Sequence, residues 1–219
     1  MKRDKLSRIL LTVAGLLLSW AAWGQTVGHP NLNAQLLVAA RQGDLLAVRL
    51  ALSHGAAPNS RNRLGKTALL IATEKDQLPM AQALLEAGAD VNQASLEKVT
   101  PLMAACYGGQ LSLVRQLLDA GADTATTDRL HKPAMVYAAG QGHAAVVALL
   151  LDHGVELDAA YAQQLTALMW AAGQGHVHTV RLLLQRGART DLRDDRGQTA
   201  ADMAREAGHA EVLAVMAAG

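Results

Sequence analysis

Eight histidines and a single cysteine are the side chains of this sequence best suited to metal or nucleophilic chemistry. His143, His176 and His209 recur every 33 residues, and His176 and His178 flank Val177. A zinc-type site needs such imidazoles to converge with further ligands at a characteristic spacing. Residues two apart on a helix do not share a face, and no Cys or carboxylate spacing completes a motif. No metal is therefore expected. Asp194-Asp195, between Arg193 and Arg196, reads as a solvated turn rather than a calcium site. Cys106 follows an alanine that recurs along the chain, so a buried and inert thiol is expected there. No GxSxG, P-loop or spaced carboxylate pair occurs. The reading is of a protein that is not an enzyme and takes no cofactor.

What remains is recognition. Beyond residue 24 the aromatic residues are Tyr107, Tyr137, Tyr161 and Trp170, all in one part of the chain. Tyr and Trp are favoured anchors of protein interfaces. Tyr137, Gly140 and Gln141 stand at i, i+3 and i+4, one face of a helix, and Trp170, Gly173 and Gln174 repeat them. Tyr107, with Ala104 and Gly108, holds the matching face one repeat earlier. Small neighbours leave the rings open to contact. The competing reading has the rings filling gaps between adjacent helices.

The elements that must position these rings follow from a period. Alanine falls at 39, 72, 105, 138, 171 and 204, and glycine at 55, 88, 121, 154 and 187, both stepping by 33. Such self-similarity marks a stacked repeat architecture. Each unit reads as a short helix capped by Thr (Thr67, Thr100, Thr166, Thr199), then a glycine break (Gly43, Gly109, Gly142, Gly175, Gly208). A second helix follows with paired leucines, such as Leu117-Leu118, and a glycine stop. Asn33 is placed to cap the first helix, Asp76 holds one inter-helix glycine position, and Pro133 replaces one capping Thr. The last unit has a more polar first helix, TAADMAREAG, suited to a terminal face that meets water.

The stretch TPLMAACYGGQLSLVRQLLDAGAD at 100–123 carries the pattern most completely, and it resembles an ankyrin repeat. The resemblance covers 33–219. It implies an all-α ankyrin-repeat solenoid of about six helix–turn–helix repeats (33–64, 65–97, 98–130, 131–163, 164–196, 197–219) joined by short β-hairpin loops. It also implies protein binding on a concave surface made by the first helices and the hairpins. By register, Tyr107, Tyr137, Gln141, Trp170 and Gln174 lie on that surface and Tyr161 lies in a hairpin. Lys98, Arg129 and His131, with Glu97 and Gln163, form a polar rim. The recurring histidines occupy a structural position of the family. The family's TPLH histidine is absent throughout, its place taken by Leu37, Leu70, Met103, Val136, Met169 and Asp202. The hairpin-tip glycine survives as Gly65 and Gly197, but Lys98, His131 and Gln164 replace it in between, so a different turn is expected at those three tips.

Composition agrees with thin helical layers: 51% hydrophobic residues, 3% aromatic and no Phe. Residues 1–8 are basic, 9–23 carry no charge, and Ala22-Trp23-Gly24 offers small residues for a cut before Gln25. That order is a signal peptide. Fifteen residues at about 1.5 Å each fall short of a hydrocarbon core of about 30 Å. The expected division is a signal peptide at 1–24, a leader at 25–32 and a protein of the periplasm, or else a secreted one. Without Lys2, Arg3, Lys5, Arg8 and Asp4, the 20 basic and 19 acidic residues fall to 16 and 18, a net charge of −2 that does not point to nucleic acid. The function expected is a non-enzymatic protein–protein interaction module acting on a periplasmic enzyme, as an inhibitor or immunity protein or as a stress-protective accessory factor. The alternative is a self-assembling structural protein. No small-molecule substrate and, after cleavage, no membrane partner is expected.

Overall fold

Residues 30–218 are described in a computed structural model, so the expected signal peptide and residues 25–29 lie outside the described residues. Among the described residues there are twelve α-helices and no strand. They pair as α1 (Pro30–Gln42) with α2 (Leu45–Ser53), α3 (Ala68–Glu74) with α4 (Leu78–Glu86), and α5 (Pro101–Tyr107) with α6 (Leu111–Asp119). Then come α7 (Ala134–Gly140) with α8 (Ala144–Asp152), α9 (Ala167–Gly173) with α10 (Val177–Gln185), and α11 (Ala200–Glu206) with α12 (Ala210–Ala218). The first helices pack on one another in the order α1, α3, α5, α7, α9, α11, and the second helices form a parallel row.

The 33-residue period is the packing repeat. Leu36, Leu69, Leu102, Met135 and Leu168 are buried at one equivalent position, and Leu84, Leu117, Leu150 and Leu183 at another. Alanine at 72, 105, 138 and 171 is fully buried, because a larger side chain there would hold adjacent first helices apart. The capping threonines behave as the sequence predicts: Thr67, Thr100, Thr166 and Thr199 each accept a hydrogen bond from the backbone N–H of the third residue of their helix. In α11 the bond is reciprocated, with Asp202 accepting from the Thr199 N–H at 3.0 Å and hydroxyl at 2.8 Å. The glycines after the first five second helices (Gly55, Gly88, Gly121, Gly154 and Gly187) have positive φ, and Asp76 takes φ 54° at its inter-helix position.

Two local expectations need correction. Asn33 does not cap the first helix but lies inside it, within Pro30–Gln42. Its side chain instead accepts the Ala57 N–H at 2.8 Å within the first repeat, whereas further along the chain Asn59, Asn92 and Asp158 accept from the equivalent Asp90, Asp123 and Arg189 N–H groups of the next repeat. The expected change of turn is also absent at two of its three tips. Lys98 and His131 keep the left-handed conformation (φ 59° and 58°) that Gly65 and Gly197 adopt. The turn closes the same way in each: the Asn62, Ser95, Asp128 and Asp194 N–H groups donate to Lys66, Val99, Lys132 and Gln198 carbonyls. A short polar side chain at the same starting residue anchors the loop. Asp128 Oδ1, for example, accepts the Leu130 and Lys132 N–H groups, both at 2.8 Å. Such local bonds hold a turn against the cost of a non-glycine left-handed residue. The remaining tip starts at Tyr161, which has no such acceptor, and there the turn does differ: Gln163 and Gln164 are both left-handed. The loops thus project as tight turns, with one isolated bridge among the described residues, between Thr127 and Pro133.

Candidate protein-docking site

The aromatic residues of the middle repeats are placed by the stacking of α5, α7 and α9. Tyr107 ends α5, and its ring meets the Tyr137 ring of α7 edge-on, with centroids 6.0 Å apart and planes at 79°. Edge-to-face contact of this kind suits two aromatic quadrupoles. Gly140 occupies the position of Tyr107 one repeat later. With no side chain there, the Trp170 ring of α9 lies 3.6 Å from where a Gly140 Cβ would be. The three rings therefore step diagonally across three layers. Together with Gln141, Gln174, Val136 and Lys132 they line a depression of about 220 Å³.

The rings differ in how firmly they are held. Tyr107 is 56% exposed. Tyr137 is half-buried and donates its hydroxyl to Asp128 Oδ2 at 2.6 Å. Burial, then the hydrogen bond and charge of Asp128, push the Tyr137 phenol well above its ordinary value, so it stays a donor. Asp128, only 5% exposed, is thereby shared between the loop turn and the site. Trp170 is half-buried, and its indole N–H is buried without a hydrogen-bond partner among the described residues. The ammonium of Lys132 lies 4.6 Å from the centre of the Trp170 ring, a cation–π contact.

Of the residues singled out in the sequence, Tyr107, Tyr137, Gln141, Trp170 and Gln174 come together in this depression. Tyr161 does not line it. It packs partly buried against the core, with its hydroxyl unpaired among the described residues and its pKa pushed up to about 12, chiefly by burial. Lys98, Arg129 and His131 are exposed on the neighbouring tips, as is Gln163. Adjacent tips are joined by single backbone bonds: Leu96 N–H to the Leu64 carbonyl, Arg129 to Glu97 and Asp195 to Gln163. Lys132 was missed by sequence reasoning, because nothing in a Lys-Pro dipeptide shows that it reaches an indole in the next repeat. Exposed Leu64, Leu96 and Leu130 at the tips were missed as well.

The histidines do other work. His143 and His176 stand at the starts of α8 and α10, and their Nε2 atoms lie 2.9 Å from the Tyr107 and Gly140 carbonyls of the preceding repeat. His209 relates to Gly173 in the same way at 3.2 Å. Cys106 is fully buried, and burial pushes its thiol well above the ordinary range, which keeps it unreactive.

A family profile described as ankyrin repeats (3 copies) matches residues 16–95, 93–161 and 135–219. Among solved structures, the crystal structure of EF0377, an ankyrin repeat protein, is similar at 30% identity. The match covers 84% of this chain and 96% of that one, with a TM-score of 0.77. The crystal structure of the human ASB11 ankyrin repeat domain is similar at 30% identity, over 84% of this chain and 82% of that one, also with a TM-score of 0.77. No curated protein sequence matches.

Proposed function

The chain belongs to the ankyrin-repeat family, a family of protein–protein interaction scaffolds, and from that premise we propose that it is an exported, non-enzymatic protein that holds one partner protein on the face carrying Tyr107, Tyr137 and Trp170. The observation that carries this reading is the convergence of those rings, with Gln141 and Gln174, in one open depression. An interface core of this kind combines large aromatic surface with amide groups that hydrogen-bond a partner's backbone. Export rests on the basic start, the uncharged stretch and the small residues before Gln25, all in the sequence. The site of action that follows is the periplasm, with secretion as the other destination of the same signal. The role is that of an inhibitor or immunity protein for a harmful enzyme, or of an accessory factor protecting a resident one. The neighbouring gene separates them, since a toxin favours the first and a defence enzyme the second.

A second reading, self-assembly into a structural array, has its own observation. The first repeat exposes Val38, Leu46 and Leu50, with Leu46 78% exposed, and the last repeat offers Val215 and Met216 in an open groove. Apolar ends of this kind could stack head to tail. Sedimentation across a concentration series distinguishes the two readings. A monomer supports the docking face, and growth with concentration supports the array.

A further inference from the structure

Taken together, the five loop tips carry a net charge opposite to that of the rest of the protein beyond residue 24. Segments 60–66, 93–99, 126–132, 159–165 and 192–198 hold eight Lys or Arg and four Asp or Glu. Outside them, and beyond residue 24, the chain holds eight basic and fourteen acidic residues. Two of the four tip acids are withdrawn from the surface. Asp128 is buried under its turn and Tyr137, and Asp194 under its turn and Arg196. The exposed tip cations include Arg63, Lys98 and Arg129. Among the described residues, only Arg129 of these faces a carboxylate, that of Glu97 at a loose 3.6 Å. Exposed Leu64, Leu96 and Leu130 alternate with them. This row leads into the aromatic depression, where the Lys132 ammonium sits over Trp170 with no ion-pair partner among the described residues.

Resting on the docking site above, we propose that the partner presents an acidic segment with interspersed apolar side chains. It lies across the tips so that its carboxylates meet Lys98, Arg129 and Lys132 while an apolar side chain covers the Tyr107, Tyr137 and Trp170 rings. Complementary charge steers encounter and fixes register, and the aromatic contact supplies retention. A protein segment fits better than an anionic lipid surface. Lys132 is recessed beside the indole, where an extended chain reaches it and a flat surface resting on the tips does not.

Trp170 is the natural reporter. With Trp20→Phe and Trp23→Phe in the full chain it is the sole tryptophan, whether or not the N-terminus is removed. The probes are end-blocked peptides alternating Leu with Glu, Gln or Lys, and vesicles of phosphatidylglycerol in phosphatidylcholine. The Glu–Leu peptide is expected to change Trp170 emission saturably, with affinity falling about tenfold as salt rises through the range where exposed charges are screened. The Lys98→Glu/Arg129→Glu double variant, at exposed positions that leave folding intact, is expected to lose that response. Equal binding of the Gln–Leu or Lys–Leu peptide overturns the acidic partner while leaving the aromatic docking site standing. A response to vesicles alone assigns the tips to lipid and overturns it too, as does the absence of any response. The docking reading itself falls separately, if a partner captured in cells is retained by a Tyr107→Ala/Trp170→Ala variant.

Discussion

Nε2 of His176 lies 2.9 Å from the carbonyl oxygen of Gly140, one layer back in the stack. The same imidazole lies over Gly142, where a Cβ would meet its Nδ1 at 2.6 Å. His143 over Gly109 and His209 over Gly175 repeat the arrangement. The recurring histidine is therefore a strut between repeats, and the glycine beneath it must stay bare. The struts end on Tyr107, Gly140 and Gly173, the final residues of α5, α7 and α9, so they also fix the helix ends on which the aromatic site is built.

Gly142→Ala tests the strut against backbone conformation. Both Gly142 and Gly154 have positive φ (78° and 86°), but nothing lies within 4 Å of a Cβ at Gly154. Gly154→Ala should cost about 1–2 kcal/mol for the left-handed residue alone. Gly142→Ala should lose that plus about 1–3 kcal/mol as the imidazole is displaced. Urea unfolding of the two variants reads the difference, and equal costs would remove the ring from the account.

Tyr137→Phe removes the hydroxyl that Asp128 accepts at 2.6 Å. A buried carboxylate losing such a donor is expected to cost about 1.5–3 kcal/mol. The loop from Asp128 to Lys132 should loosen with it, visible as faster amide exchange at the Leu130 and Lys132 N–H groups that Asp128 also holds. Unchanged exchange there would show the loop anchored independently of the ring.

The two glycine series and the alanine series made the fold legible, because each marks a place where every layer meets the next under the same steric limit. Ala138 and Ala171 are fully buried between first helices, and Gly154 and Gly187 end second helices with positive φ. The placement of the candidate site's rings was legible for the same reason: register alone put Tyr137 and Trp170 on one face, and both line the same depression. What failed depended on side chains distant in sequence. Lys98 and His131 were weighed as isolated left-handed residues, whereas Ser95 and Asp128 anchor their turns from three residues earlier. Lys132 was invisible because its partner is an indole in the next repeat. Tyr161 was grouped with the other aromatics by type, yet it stands at the turn-anchoring position and packs on the core.

Lys98→Gly separates fold from docking. The left-handed lysine costs the native state about 1–2 kcal/mol, and part of the gain is returned because glycine is freer when unfolded. A net stabilisation of about 0.5–1 kcal/mol is expected. Partner binding should weaken at the same time through the lost cation. A melting temperature that falls would contradict the turn described at this tip.

Acid should loosen the C-terminal repeat first. Hydrogen bonds from the Thr199 N–H and hydroxyl, and then from Arg205, hold the Asp202 carboxyl down at about 2. A carboxyl whose folded pKa is depressed stabilises the fold above its unfolded value of about 3.9 and loses that contribution as pH falls through the folded value. The loss therefore runs from about pH 4 downward. Asp202→Asn should flatten stability across that interval, measured by thermal unfolding at stepped pH. An unaltered pH dependence would contradict the capping role.

The most direct test of the docking face is photo-crosslinking in native cells from a reporter at Gln141, which is exposed on the rim of the depression. The tagged protein would be compared with a Tyr107→Ala/Trp170→Ala variant shown by circular dichroism to be folded. One dominant crosslinked protein is expected, lost or weakened by about 2 kcal/mol or more in the variant. A crosslink that persists unchanged in the folded variant, or one that joins only copies of this chain, would contradict it.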